Sequence, residues 1–403
     1  MTFLRRLGRL PLYLIALPAL LAFRLLRPWL LVRWAGVASN RIGPFAAITE
    51  LYFCERDAGI NVPNRRHVDV FYFKATPIAN AQLARMWRRR LRVWPQWFLG
   101  PVDRLNRAAP GGHPHEIGAN TRGDRDVHNL LDWLPPHLEF TPEERETGNA
   151  GLRAIGIPRD ARFVCLHVRD SAYLAAQLPS DWSYHNYRDS DIRNYVLAVE
   201  ELADRGYFVV RMGAKVERPL ESSNRRVIDY AANGMRSDFM DIFLGASCHF
   251  AISTGSGWDA IPYIFRRPIV YVNYVPLGYL ITFRARDLNL SRPYWSTADQ
   301  RKLTLTETLE RGVAFFLRSS EYEGRGVSPI ENTPEEIRDA VIEMEERLSG
   351  RWHGAPGDDE LQERFRQLFA GAVGETHQGR SLHGELSARY SAAFLRRNPW
   401  WLA

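Results

Sequence analysis

Between residues 150 and 330 the apolar positions come in short, nearly unbroken runs: Phe163–Leu166, Tyr207–Val210, Phe250–Ile252 and Ile269–Val272. Strands covered on both faces read this way, because a parallel sheet flanked by helices has no wet side. The stretches between them have helical spacing. Ile192, Tyr195, Val196, Val199 and Leu202 fall on one helix face, and Gly206 closes that helix. Thr141 and Glu144 form a capping box ahead of "PEERETGNAGLRA", and Ser237 or Asp238 caps "FMDIFLGAS". "TGSG" leads from the strand "CHFAIS" into a helix at "WDAIPYIF". Strand–helix units of about 30 residues build a doubly wound sheet through right-handed crossovers.

The pattern is weaker on either side. "HVDVFYF", His67–Phe73, predicts a strand, and "PIANAQLARMWRRRLRVW" after it a very basic helix. "GVASNRIGPFAAITELYFCERDAG" predicts strand, a break at Gly43–Pro44, then helix. Residues 100–150 read as loops with one helix at "DVHNLLDWL". Two amphipathic helices and an aromatic end follow residue 330. The fold class is α/β, in four parts: 1–34 an apolar membrane-associating segment, 35–150 a Rossmann-like domain, 151–330 a second one, and 331–403 a helical tail.

The chain has 403 residues, is 45% hydrophobic and 25% charged, and carries a formal net charge of +7. This excludes a disordered chain and favours anionic partners. Cys54, Cys165 and Cys248 are odd in number and far apart, which suits core thiols in a reducing compartment. No Cys/His spacing predicts a metal; "HPH", His113–His115, is closest and reads as a surface loop. Leu10–Phe23 is 14 residues without a charge, preceded by Arg5, Arg6 and Arg9 and followed by Arg24, Arg27 and Arg33. A straight span needs about 20 residues. An interfacial or re-entrant anchor is expected, with arginines at the lipid phosphates. A distorted span to Val32, or a buried N-terminal helix, is the alternative.

Ligands of open parallel sheets bind beyond the carboxyl ends of the strands. Two ends carry unusual chemistry. The first gives His167, Arg169 and Asp170; His167 and Arg169 alternate and so share a face on a regular strand. Arg169 can grip a phosphate through two N–H groups. The second is Ser253, Thr254, Gly255, Ser256, Gly257, Trp258 and Asp259, where glycines permit close approach and free N–H groups at a helix start attract an anion. Each alone reads equally as a strand end; together they favour a diphosphate. The Gly-rich turn lacks the P-loop spacing and Gly-x-Gly-x-x-Gly.

"LHVRD", "YRDSDIRNY", "GYFVVRMG", "MDIFLGASCHFAISTGSGWD" and "RPIVYVN" together resemble bacterial glycosyltransferases of surface-polysaccharide clusters. More distantly, His-x-Arg with a downstream Ser/Thr turn resembles the fucosyltransferase superfamily of the GT-B type. The resemblance covers residues 150–330, and the N-terminal part only through "RIGPFAAITELY". It implies two Rossmann-like domains facing a cleft, with the donor in the second and the acceptor entering from the first. By the resemblance Arg169 holds the donor diphosphate, with His167 beside it, and the Ser253–Gly257 turn holds nucleotide oxygens. Fucosyltransferases often carry two adjacent arginines, whereas Asp170 follows Arg169 here. Tyr187 and Arg188, in "YHNYRDSD", are candidates for the sugar pocket. Glu50 and Asp69 are candidates for the base that deprotonates the acceptor. No Asp-x-Asp stands in the expected place, and "DRD", Asp124–Asp126, matches by letters only, so no metal cofactor is expected. The expected partners are a nucleotide sugar, a glycan or lipid-linked acceptor and an anionic membrane surface at the cytoplasmic face of the bacterial inner membrane. The other class of function is a nucleotide-sugar or glycan-binding protein without catalysis. "RMWRRRLRVWPQW" suits nucleic acid by charge, but reads here as a membrane-facing basic surface, and nucleic acid is not expected.

Overall fold

A computed structural model of the chain describes residues 10–118, 123–170, 183–373 and 381–403. The chain forms two compact units, Met1–Asp124 with Pro136–Phe140, and Arg125–Pro135 with Thr141–Ala403.

The first unit holds α1 (Leu10–Leu26), β1 (Leu31–Val37), α2 (Ile42–Asp57), β2 (His67–Phe73), α3 (Ala81–Arg90) and α4 (Gln96–Ala108). β1 and β2 pair in parallel from Leu31 opposite His67 to Val37 opposite Phe73. Single bridges at Trp34–Glu116 and Phe71–Val93 widen this sheet. Among the described residues it is therefore smaller than the full Rossmann-like domain expected. Gly43–Pro44 does not break the chain before the helix. Both residues lie in the first turn of α2, where an N–H has no helical partner to lose.

α1 is a 17-residue helix despite Pro18. Ala16 and Leu20 join Val32, Trp34, Val70, Tyr72, Leu99 and Val102 in one core cluster. Its opposite face stays bare, as Leu14, Ile15, Leu17, Leu21 and Leu25 are all more than half exposed. No helix among the described residues is long and apolar enough to cross a membrane. Arg5, Arg6 and Arg9 lie outside the described residues. The basic stretch keeps Trp87 fully buried, its indole donating to the Phe45 carbonyl at 3.1 Å, with Arg88 over the Phe73 ring.

The second unit carries α5 (Pro142–Ala154), β3 (Phe163–His167), α6 (Val196–Asp204), β4 (Phe208–Met212), β5 (Val227–Ile228), α7 (Asp238–Ser247), β6 (Ala251–Ser253), α8 (Ala260–Ile264), β7 (Ile269–Tyr274), β8 (Leu288–Ser291), β9 (Tyr294–Ser296), β10 (Arg301–Lys302), α9 (Leu305–Glu310), α10 (Ser319–Gly324), β11 (Val327–Pro329), α11 (Pro334–Ser349), α12 (Asp358–Val373), β12 (Arg389–Tyr390) and α13 (Ala392–Arg397). Seven strands form one sheet in the order β12-β8-β7-β6-β3-β4-β5, and every neighbouring pair is parallel. The chain runs outward from β3 through β4 to β5, then returns to the other flank of β3 with β6. The order reverses between β3 and β6, which makes their carboxyl ends the switch point of the sheet. β9, β10 and β11 form a small antiparallel sheet.

The capping box of Thr141 and Glu144 is present, as is a second one at Thr333 and Glu336 ahead of α11. Three local expectations change. The 331–403 tail is not helical throughout, because Arg389–Tyr390 adds β12 to the edge of the large sheet beside β8. "DVHNLLDWL" forms only a short 3-10 turn at Leu130–Asp132. Asn129 takes a left-handed φ of 51°, and the Asp126 carboxylate accepts the N–H groups of Leu130 and Leu131 at 2.9 and 2.7 Å. "DRD" is thus a local clamp, and its Arg125 donates to the carbonyls of Tyr279, Leu280 and Leu382. "HPH" is no surface loop at its end, since buried His115 holds the Val32 carbonyl at 2.7 Å and stacks on Trp34.

Candidate functional site

The parallel register sets His167 opposite Ser253, so the ends of β3 and β6 lie side by side at the switch point. Side chains lock the two edges together. Thr254 donates its N–H to the His167 carbonyl at 3.3 Å, and Arg169 donates its N–H to Thr254 Oγ1 at 3.0 Å. Ser256 Oγ lies 3.0 Å from His167 Nδ1, and the imidazole stacks on Trp258 at 5.6 Å. Burial, with Arg211 and Arg169 nearby, pulls the His167 pKa down to about 4, so the ring is neutral at pH 7.

The Ser253–Asp259 turn is more closed than its sequence suggests. Asp259 Oδ2 accepts Ser253 Oγ at 3.0 Å and the Ser256 N–H at 2.8 Å; Ser253 Oγ accepts the Gly255 N–H at 3.1 Å. The turn spends these donors on itself. A three-residue 3-10 turn and the five-residue α8 follow, so little helix dipole stands behind Gly257. The turn is a rigid wall rather than an open cradle of N–H groups. Gly255 has φ +79°, and a Cβ there would stand 2.5 Å from the Tyr274 ring. No other residue fits without moving one of them.

Cations gather beside this wall. The Arg169 side chain is 13% exposed, and its Nε lies 3.3 Å from Asp189 Oδ1. Arg188 Nη2 donates to the Gly255 carbonyl, while its Nε is buried with no hydrogen-bond partner among the described residues. Burial and then the Arg188 charge lower the Arg169 pKa. Burial raises the Asp189 carboxyl against the pull of Arg169. Two guanidiniums 19 positions apart in sequence thus repel each other at one edge. Arg188 is thus a second cation near Arg169, where the next residue in sequence, Asp170, is acidic. It stands at the turn rather than with Tyr187, whose ring packs on Tyr322 at 5.0 Å and whose hydroxyl burial pushes up to about 12. Arg292 fixes this segment by donating to the carbonyls of Tyr187 and Asp189 at 3.3 and 2.6 Å.

A cavity of about 270 Å³ opens at the ends of β3 and β4, lined among others by Asp170, Asp189, Asp191, Arg193, Arg211 and Glu331. Asp170 Oδ2 accepts the Glu217 N–H at 3.0 Å. Glu331 Oε2 accepts from Ser190 Oγ at 2.8 Å, Asn194 Nδ2 at 2.9 Å and Asn273 Nδ2 at 3.3 Å, which shapes the cavity floor. Asn273 takes φ 53° where the β7–β8 register shifts. Asp241 lies in α7 against Arg236 at 2.6 Å, and burial raises its pKa to about 6. Arg211, Asp189, Glu331 and Arg292 were not among the residues expected. For Arg211 the signal was available: a charge inside the apolar run "VVRM".

The two base candidates belong to the first unit, and both are engaged by their surroundings. Glu50 is 0% exposed, and its Oε1 accepts the His137 N–H at 3.2 Å with His137 Nδ1 at 3.0 Å. In this structure the carboxylate is enclosed and faces His137. Asp69 is held by Arg33 through two bonds of 2.7 and 2.6 Å and by Tyr52 at 2.8 Å.

No family model and no curated protein matches the chain. Solved structures similar to it include the glycosyl transferase family 9 protein of Veillonella parvula DSM 2008, at 13% identity and TM-score 0.40, over 79% of this chain and 97% of that one. The E. coli ADP-heptose LPS heptosyltransferase II matches at 13% identity and TM-score 0.35, over 60% of this chain and 84% of that one. The iron-containing dodecameric glycosyltransferase TibC of enterotoxigenic E. coli H10407 matches at 10% identity and TM-score 0.31, over 63% and 59%.

Proposed function

We propose that the protein is a glycosyltransferase that moves a sugar from a nucleotide-sugar donor to a cell-envelope glycan or lipid-linked acceptor, without a metal at the donor site. The observation that carries this reading is the meeting of Arg169 and Arg188 at the switch point, with the Asp189 carboxylate against Arg169 and a cavity lined by the neighbouring Asp170 and Asp189. Like charges held together in a half-buried place call for an anion, and a diphosphate supplies two. In the transfer, the bond from the anomeric carbon to the diphosphate oxygen breaks. The acceptor oxygen bonds that carbon and loses its proton, and the new negative charge falls on the departing diphosphate. Preformed guanidiniums stabilise that charge as it grows. Neutral His167 orients Ser256 and the turn, while the cavity at β3 and β4 accommodates the nucleoside.

The test is thermal unfolding against uridine, guanosine and adenosine diphosphates and their sugars, wild type beside Arg169→Ala. A ligand at 100 times its Kd adds about 2.7 kcal/mol. Stabilisation of the wild type alone is expected; no response to any nucleoside diphosphate would sink the proposal. A second reading, binding without transfer, draws on the burial of Glu50, which leaves the base unassigned. Release of nucleoside diphosphate that depends on added membrane extract separates the two.

The bare face of α1 supports a reading in which the protein rests on the cytoplasmic face of the inner membrane. Leu14 and Leu25 are 74% exposed, Trp29 74% and Trp97 56%. Residues 1–49 contain seven arginines and no acidic residue. An anionic leaflet satisfies both the apolar face and this charge, whereas a second copy would oppose like charges. Three buried cysteines outside any disulfide suit the reducing side. Pelleting with phosphatidylglycerol vesicles, much reduced with phosphatidylcholine and in Leu17→Glu/Leu21→Glu, is expected. Equal pelleting of that variant would refute the anchor.

A further inference from the structure

Glu50 and Cys54 stand one turn apart on α2, and His137 reaches them from the Pro136–Phe140 segment of the same unit. A carboxylate oxygen, a thiol sulfur and an imidazole nitrogen lie within 4.8 Å of one another, and all three residues are buried. Glu50 Oε1 is 3.0 Å from His137 Nδ1 and 4.0 Å from Cys54 Sγ. On the far side of the ring, His137 Nε2 meets Asp57 Oδ2 at 2.9 Å. The ring itself is held flat on Phe53, at 5.1 Å and 21°.

We propose that Glu50, Cys54 and His137 Nδ1 bind a divalent transition metal, zinc foremost, as three protein ligands that leave the fourth position to water and tie the Pro136–Phe140 segment to α2. The donor set decides the metal. Thiolate with imidazole selects zinc over magnesium or calcium, which take oxygen ligands. Zinc bonds of about 2.0–2.3 Å at tetrahedral angles set ligand atoms roughly 3.3–3.8 Å apart. The observed 3.0 and 4.0 Å straddle that range, so closing on an ion asks for shifts of a few tenths of an ångström.

The surroundings match as well. A zinc-bound histidine hands its other nitrogen to a carboxylate, which fixes the ring and strengthens the ligand. Asp57 occupies that place. Charge balances too: a thiolate and a carboxylate neutralise the ion, so the cluster is buried with no net charge of its own. Binding releases the thiol proton and the proton that His137 shares with Glu50. The site is independent of the donor reading, since no residue in it belongs to the β3–β6 edge.

The full chain, purified without chelator after growth in zinc-supplemented medium, is assayed for bound metal and for cobalt spectra. About one zinc per chain is expected. Cobalt(II) replacing it gives a near-ultraviolet thiolate charge-transfer band, which Cys54→Ser loses. Asp57→Asn, at a half-exposed position, keeps the band but weakens zinc affinity by about 10–100-fold. Chelation lowers the unfolding temperature of the wild type, and zinc but not magnesium restores it. A wild type that takes up neither zinc nor cobalt overturns the site, leaving a hydrogen-bonded Glu50–His137–Asp57 triad. An unchanged cobalt spectrum in Cys54→Ser overturns it equally. Arg169→Ala, which removes nucleotide binding on the donor reading, keeps its zinc, so either proposal can fail without the other.

Discussion

Arginine lies within an apolar strand at Arg33 and just beyond one at Arg169, and the outcomes are opposite. In β1 and β2, Arg33 and Asp69 face each other across neighbouring strands and close a two-bond pair with both side chains under 10% exposed. At the ends of β3 and β6, Arg169 meets the Asp189 carboxylate and Arg188 meets only the Gly255 carbonyl, next to a cavity lined by their chain neighbours Asp170 and Asp189. The residue types are the same. The first place completes its pairing internally and becomes a lock. The second leaves cationic capacity over, at the one position of a doubly wound sheet where loops diverge and a ligand can enter. A charge in or just beyond an apolar strand therefore signals a site only when its partners fall short.

The largest effect separates these two roles. Asp69→Ala strands Arg33 in the interior and should cost about 3–5 kcal/mol in urea unfolding. Arg169→Ala, measured without nucleotide, should cost no more than about 1 kcal/mol, since it ends a single 3.3 Å contact. Equal losses would erase the distinction between lock and site. Next in size is Gly255→Ala. It forces a side chain onto φ +79° and into the Tyr274 ring, which costs of order 1–3 kcal/mol and displaces the carbonyl that Arg188 holds. Weaker nucleotide affinity should accompany the lost stability in a titration; stability lost with affinity intact would mean the turn is scaffold only.

Much of the second unit was legible in the sequence, because its helices and strands bury enough apolar surface for local pattern to persist. The runs at Phe163, Phe208 and Ile269 became β3, β4 and β7, and the Thr141–Glu144 box formed as written. His167 and Ser253 came together because both end neighbouring strands. What failed to show is non-local. Nothing in "ARYS" reveals that Arg389–Tyr390 pairs with β8 across 100 residues of chain, since two residues have no period. The self-satisfied turn at Ser253–Asp259 is spelled in the same letters as an open one; only geometry tells whether Asp259 points inward. Glu50 looked like a base because its partner, His137, lies 87 residues away.

Acid sensitivity gives a smaller and graded test. His167 is held neutral with its pKa lowered to about 4, and His383 with its own lowered to about 3, both chiefly by burial. The unfolded chain takes up these protons first, at the ordinary pKa of about 6.5. Stability from each group is thus full above pH 6.5 and falls as the pH drops toward its folded value, by up to about 1.4 kcal/mol per pH unit. Asp241 acts with the opposite sign. Its carboxyl, raised to about 6, favours the folded state as pH falls from 6 toward its ordinary range. His167→Asn should flatten the acid limb of the stability curve and Asp241→Asn should steepen it. A flat limb in the wild type would show that His167 is wetter than its stacking on Trp258 implies.

The smallest effect isolates the link between the two edges. Thr254 is 1% exposed, and its Oγ1 takes the Arg169 N–H at 3.0 Å, so this one hydroxyl couples the β6 turn to the backbone of the arginine. Thr254→Val keeps the shape and removes the acceptor, at about 0.5–1.5 kcal/mol. If the turn serves only as a wall, that cost is all that should appear. If it aims Arg169, nucleoside diphosphate affinity falls as well, and Thr254→Ser, which restores the oxygen without the methyl group, recovers the affinity before it recovers the full stability. Calorimetric titration of the three proteins with one nucleoside diphosphate distinguishes these outcomes, because packing follows the methyl group and aim follows the oxygen.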